Sequence, residues 1–405
     1  MIDLKLHSRF ALGYFLIAAV LGLFLRSLQI LDIGVDYRYI VHGHSHIALL
    51  GWVYLALITL FHKLFLNEKK NNKRYRQIYV FTQITLVGML FTFPFQGYSF
   101  LSITFSTLFL FASYWYVWFF IRNTPKNLKN SNWYKYIRIA LFYNVISTLG
   151  PWALGIVMAT LGKASIWYKI SIYFYLHFQY NGWMLVALLG ILIAILEKKG
   201  IHLSRNQHNY LFYSVNFGVV FTFFLSILWA APIKKFYVFN GLGVVFQLFA
   251  FLLLLRWFSK NKMLLKGSFS NLQVLIGKAV WVILGLKIVL QLITSIPYFA
   301  NLAFSILEFT IGYLHLTFLG VISMSLFLFF DYLRLFRISK KVVYLFLLGF
   351  ILTEALIFYK GIIVWLNKMI FKGYYFSLVV VSAILVLAII LLMKINLRNF
   401  LAIKQ

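Results

Sequence analysis

The sequence predicts an all-α, polytopic integral membrane protein of about twelve transmembrane helices. Three observations carry that prediction. Of 405 residues, 63% are hydrophobic and only 11% are charged. Apolar runs of about twenty residues, the length a helix needs to cross a bilayer, recur from one end of the chain to the other. A histidine–glycine pattern returns three times, at intervals of about four such runs.

In chain order the spans are expected near 9–28, 40–66, 77–97, 98–121, 136–162, 171–196, 209–230, 238–257, 273–294, 300–330, 342–359 and 374–393. The first follows Lys5 and Arg9 as a signal peptide would, but it runs into Arg26 without a small-residue cleavage site and is read as retained. No connection is long enough to be a soluble domain. The expectation is therefore one membrane domain over 1–405, built from three four-helix repeats at about 1–134, 135–272 and 273–405.

Thirty-eight Lys and Arg stand against eight Asp and Glu. In a soluble domain that balance suggests nucleic acid, but here the cations punctuate the apolar runs instead of forming one face, so the lipid bilayer is the expected partner and nucleic acid is not. The connections alternate in charge: the amino end, 67–76, 122–138, 198–205, 256–266, 334–341 and the tail carry 26 Lys and Arg, and the others carry eight. By the positive-inside rule both termini are expected in the cytoplasm, with the chain in the cell membrane. There is no cysteine, hence no disulfide, thiolate ligand or covalent c-type haem.

The functional signal lies in Val41–Trp52, VHGHSHIALLGW, where His42, His44 and His46 fall inside an apolar span. Ligand-capable side chains are costly in hydrocarbon, so such a cluster is a functional-site hypothesis from the start. His46 is followed five residues later by Gly51 and Trp52, His177 by Gly182 and Trp183, and His315 by Gly320, at separations of 131 and 138 residues. On a helix His42 and His46 share a face while His44 is turned roughly 200° from His42. The repeat makes His46 the counterpart of His177 and His315. A bis-histidine haem takes two neutral imidazoles from different helices, and His46 and His315 are the expected pair. His42 and His44 are expected in supporting roles, binding a propionate, a partner histidine or a separate copper or zinc ion. Arg38, about two turns before His46, has two readings: a propionate clamp or a snorkelling cation.

Histidine motifs on spans 2, 6 and 10 of a twelve-span chain resemble the catalytic subunit I of the haem-copper oxidase superfamily, including its nitric oxide reductase branch. The resemblance implies a pseudo-threefold helix bundle, with His46 and His315 holding a low-spin haem b and His177 at the place of a copper or other metal ligand. It also implies a quinol or cytochrome partner subunit as electron source. The chain departs from the family's pattern where the chemistry sits: span 7 (Asn209–Ala230) contains no histidine, and Tyr313 stands two residues before His315 where a second histidine of helix 10 is needed. Whether the chain is an enzyme therefore stays open. The reading that fits these residues is a haem protein with an electron-transfer, gas-sensing or respiratory-assembly role and an incomplete copper and high-spin haem site. The alternatives are an active oxygen or nitric oxide reductase, and a metal or solute transporter using the histidines as transit ligands.

Two further intramembrane charges, Lys287 on span 9 and Glu308 on span 10, are expected at similar depth and to form a buried pair; Glu308, two turns before His315, alternatively tunes the haem pocket or takes up a proton. His62, His202 and His208, near the cytoplasmic ends of their spans, are expected to be interfacial helix-packing hydrogen-bond partners rather than ligands.

Overall fold

The computed structural model describes residues 3–66 and 72–404; residues 67–71 of the basic 67–76 connection lie outside it. Among the described residues there is no strand, and twelve helices are long and apolar enough to cross a membrane. They are α1 (Leu4–Ser27), α2 (Tyr37–Phe65), α3 (Lys73–Gln96), α4 (Phe100–Asn123), α5 (Asn132–Thr160), α6 (Ile166–Lys198), α7 (Arg205–Ile227), α8 (Lys234–Lys260), α9 (Asn271–Ile293), α10 (Leu307–Tyr332), α11 (Lys340–Trp365) and α12 (Tyr374–Leu397). Each coincides with an expected span, so the protein is an all-α polytopic membrane protein that sits in the lipid bilayer. The starts follow from capping chemistry. Asp36 accepts from the Arg38 and Tyr39 amides, and Ser204 and Ser270 form capping boxes with Gln207 and Gln273. The tenth span starts later than expected because Ile306, in an extended conformation, separates α10 from a short helix over Pro297–Ser305.

The chain divides into two compact units, one of residues 1–125 with 323–405 and one of residues 126–322. In the first, α12 packs along α1 and α11, α3 packs on α4, and α2 lies against α1 and α3. In the second, α7 packs on α8, α5 packs on α6, and α9 packs on α8. The helices carrying the histidine motifs are the most enclosed. In their most apolar stretch 89% of α2, 83% of α6 and 67% of α10 is buried, against 28–44% for the other nine.

These three helices share a backbone feature that no other described helix has. Directly after His46, His177 and His315 the helix widens from α to π, over Ile47–Tyr54, Phe178–Met184 and Leu316–Ser323. π-helical turns are rare and concentrate at functional sites. The glycine of each motif falls inside the widened stretch. A Cβ on Gly51 would come within 2.8 Å of the Tyr14 ring of α1, and one on Gly182 within 2.7 Å of the Tyr143 ring of α5. Each tyrosine then donates to an amide on a third helix: Tyr14 to Gln83 Oε1 of α3 and Tyr143 to Asn216 Oδ1 of α7, both at 2.9 Å. The same three-helix clasp is thus built in both units. In the first unit Trp52, stacked on Phe15, also donates to Ser323 Oγ at 2.9 Å.

Gly51→Ala and Gly182→Ala are each expected to destabilise by about 1–3 kcal/mol, because the new methyl overlaps a tyrosine ring that has no room to retreat. Gly155→Ala, whose methyl would meet nothing within 4 Å, is the control and leaves the transition unchanged. Thermal unfolding in detergent, followed by tryptophan fluorescence, checks all three.

Candidate functional site

The α2 histidines separate as helix geometry requires. His42 and His46 turn towards the end of α3 and the Tyr98 that follows it: His46 stacks on Phe93 at 4.2 Å between centroids, and His42 meets Tyr98 edge-on at 4.6 Å. His44 turns the other way, its Nδ1 2.8 Å from the Ala18 carbonyl of α1. The half-buried His46 places Nδ1 2.9 Å from the His42 carbonyl, one turn back. A carbonyl can only accept, so Nδ1 carries the proton and the Nε2 lone pair is left as the basic atom. Metal-binding histidines are held in this way, with the second ring nitrogen donating to a backbone carbonyl that fixes tautomer and ring orientation. Arg38 is exposed at the first turn of α2.

His177 is engaged differently. Its Nε2 lies 2.8 Å from the Val219 carbonyl of α7 and its Nδ1 lies 3.3 Å from Asn181 Nδ2. Nε2 therefore donates, Nδ1 accepts, and both ring nitrogens are used. The reason lies in α7, whose last turn tightens to a 3₁₀ helix over Phe223–Ile227. The Phe223 amide turns to Val220, three residues back, and the Val219 carbonyl takes its donor from His177 instead. An unpaired carbonyl in hydrocarbon costs several kcal/mol, so the imidazole repairs a broken ladder. A metal at His177 would have to displace one of these bonds. The geometry does not fit the metal-ligand role expected of this residue. Within each unit, among the described residues, no group of three or more His, Cys, Asp or Glu side chains is placed to hold a metal ion.

His315 is the last residue before the third π-helical stretch and is half-buried, with Tyr313 on the turn before it. His46 and His315 belong to different units. The hydrogen bond of Lys287 goes to Gln291 Oε1 at 3.0 Å, with the Tyr313 ring face 5.4 Å from the ammonium, rather than to Glu308 as expected. Gln291 is one turn on in the same helix and always within reach, whereas the break at Ile306 puts Glu308 in the first turn of α10, where the helix dipole favours a carboxylate. His62 and His208 lie within the helix packing. Both are buried, His62 against the Tyr75 ring at 4.1 Å and His208 with Nε2 3.4 Å from Glu197 Oε1.

Sequence reasoning missed the tyrosine–amide half of each clasp. Its signal was present: Tyr14 and Tyr143 are 129 residues apart and Gln83 and Asn216 are 133 apart, close to the 131 that separates His46 from His177. The same alignment exposes a contrast between repeats. Ala48 and Leu50 correspond to Gln179 and Asn181, and Phe15 and Ala18 to Asn144 and Ser147. In the second unit these polar residues are buried, and Gln179 Nε2 donates to Asn144 Oδ1 at 3.1 Å and to Ser147 Oγ at 2.9 Å. The first repeat is packed by hydrocarbon where the second is tied by amides.

No protein-family model matches the chain, and no curated protein is similar to it in sequence.

His177→Leu is expected to destabilise the fold by about 1–3 kcal/mol by leaving the Val219 carbonyl only the long 3.5 Å contact from Thr222 Oγ1, and His177→Gln, which keeps a donor, by less. Thermal unfolding of the two variants checks the order; equal losses would show that the bond to Val219 is not what His177 contributes.

Proposed function

We propose that the protein is a haem-binding electron-transfer protein of the cell membrane, in which His46 and, as its counterpart in the repeat, His315 would hold one low-spin haem b. The observation that carries this reading is the pose of His46. A carbonyl holds Nδ1–H, Nε2 is basic, and the ring stacks on Phe93, a flat apolar neighbour suited to a porphyrin edge. When bound, the haem supplies a one-electron redox couple. The chain's own part is to fix the His46 tautomer before the ligand arrives; Gly43, buried beside His42, packs on Pro94 and closes α2 on α3. The reading includes no copper at His177, because that imidazole has no lone pair to offer while it bridges α6 and α7. A membrane carrier of this kind takes its electrons from a quinol or from a cytochrome-type partner subunit. The excess of cations on alternate connections supports cytoplasmic termini.

A reduced-minus-oxidised absorption spectrum of protein purified from a haem-replete host, with haem quantified per chain, tests the reading. One b-type haem is expected in the wild type, none bound stably in His46→Ala or His315→Ala, and full retention in His177→Gln. A wild type without haem, or haem retained at the wild-type level in both alanine variants, would remove the proposal.

A further inference from the structure

Away from the histidine helices, the second unit carries a half-open cavity of about 380 Å³ at the end where α7 starts and α8 finishes. Its charged lining is entirely basic. Arg256 and Lys260 are four residues apart on one face of α8, both exposed, and His202 reaches it from the connection after α6. No carboxylate lines it. Glu197, the acidic residue nearest in sequence, faces His208 Nε2 at 3.4 Å. The α7 N-terminus completes the rim through Ser204 and Gln207, whose side chains cap each other's amides at 3.3 and 2.9 Å and leave the positive end of the helix dipole towards the cavity.

The apolar side of the cavity is equally ordered. Trp257, buried between the two cations in sequence, has the position of an interfacial indole, and Leu253 lies one turn deeper. Beyond them α8 exposes Leu252 and Phe249, so a chain leaving the cavity in that direction meets hydrocarbon surface. A basic, hydrogen-bonding mouth above an exposed apolar wall matches one kind of molecule, an anionic lipid. The guanidinium of Arg256 is a two-pronged donor for phosphate oxygens and Lys260 adds a point charge. The quaternary ammonium of a zwitterionic headgroup would be pushed towards two cations, Arg256 and Lys260.

We propose that this cavity binds the phosphodiester headgroup of an anionic phospholipid, with Arg256 and Lys260 on the phosphate and the acyl chains along the exposed face of α8. The position is consistent with the general attraction of basic pockets between transmembrane helices for anionic lipids.

The test is native mass spectrometry of the full chain in detergent, titrated with phosphatidylglycerol or with phosphatidylcholine of the same acyl chains. Three proteins are compared: wild type, Arg256→Gln with Lys260→Gln, and a charge-matched control, Lys126→Gln with Lys129→Gln, on a different connection. The wild type is expected to bind one phosphatidylglycerol at least tenfold more tightly than phosphatidylcholine. The Arg256 and Lys260 variant loses that preference at least tenfold, and the control keeps it. Both substituted side chains of the test variant are exposed, and unchanged thermal unfolding verifies its fold. Equal binding of the two lipids by the wild type, or an equal loss in test and control variants, would overturn the proposal. A separate titration with inorganic phosphate distinguishes the source of the anion: phosphate binding that needs Arg256 and Lys260, with no lipid preference, would make this a soluble-anion site and would also overturn it.

Discussion

Inside hydrocarbon a helix has no water to repair its backbone, so each departure from the α ladder needs a protein donor or acceptor at that spot. This constraint organises the structure around three places where the ladder changes pitch, just after His46, His177 and His315. Around the first two, side chains restore what the backbone gives up. His46 Nδ1 and Ser45 Oγ both donate to the His42 carbonyl, and His177 Nε2 donates to the Val219 carbonyl where α7 tightens. The widened turns also let glycine backbones meet the tyrosine rings of α1 and α5, and those tyrosines reach amides on α3 and α7. Histidine, π-turn, glycine and tyrosine are one device, used at least twice.

The device does not dictate the chemistry. On α2 the histidine keeps a basic nitrogen and stands among Phe93 and Tyr98, with apolar Ala48 and Leu50 two and four residues on. On α6 the equivalent histidine spends both nitrogens on the protein, and Gln179 and Asn181 replace the first repeat's Ala48 and Leu50. The same local arrangement thus leaves the His46 Nε2 lone pair uncommitted to a backbone carbonyl in one unit and ties helices through polar side chains in the other. Lys287 follows the same logic: buried on α9, it is satisfied by its own helix through Gln291 and by the face of Tyr313.

The twelve helices were legible because span length, apolar composition and the alternation of basic connections each follow from the bilayer itself. The divergence of His42 and His46 from His44 was legible for an equally local reason, the 3.6-residue period. What the sequence could not display were events that depend on two helices at once. The engagement of His177 is caused by a 3₁₀ turn on α7, more than forty residues away, and nothing near His177 announces it. The pairing of Lys287 was misjudged because the break at Ile306, which sets where Glu308 falls, leaves no proline or glycine signal at that residue.

The central claim is that a histidine held by its own helix at Nδ1 is prepared to bind iron at Nε2. Electron paramagnetic resonance of the oxidised, detergent-purified protein addresses the ligand set directly. The account predicts a low-spin ferric signal of the kind given by two neutral imidazoles, close to one spin per chain. A dominant high-spin signal from bound haem would contradict it, because two imidazoles, those proposed of His46 and His315, would keep the iron low-spin.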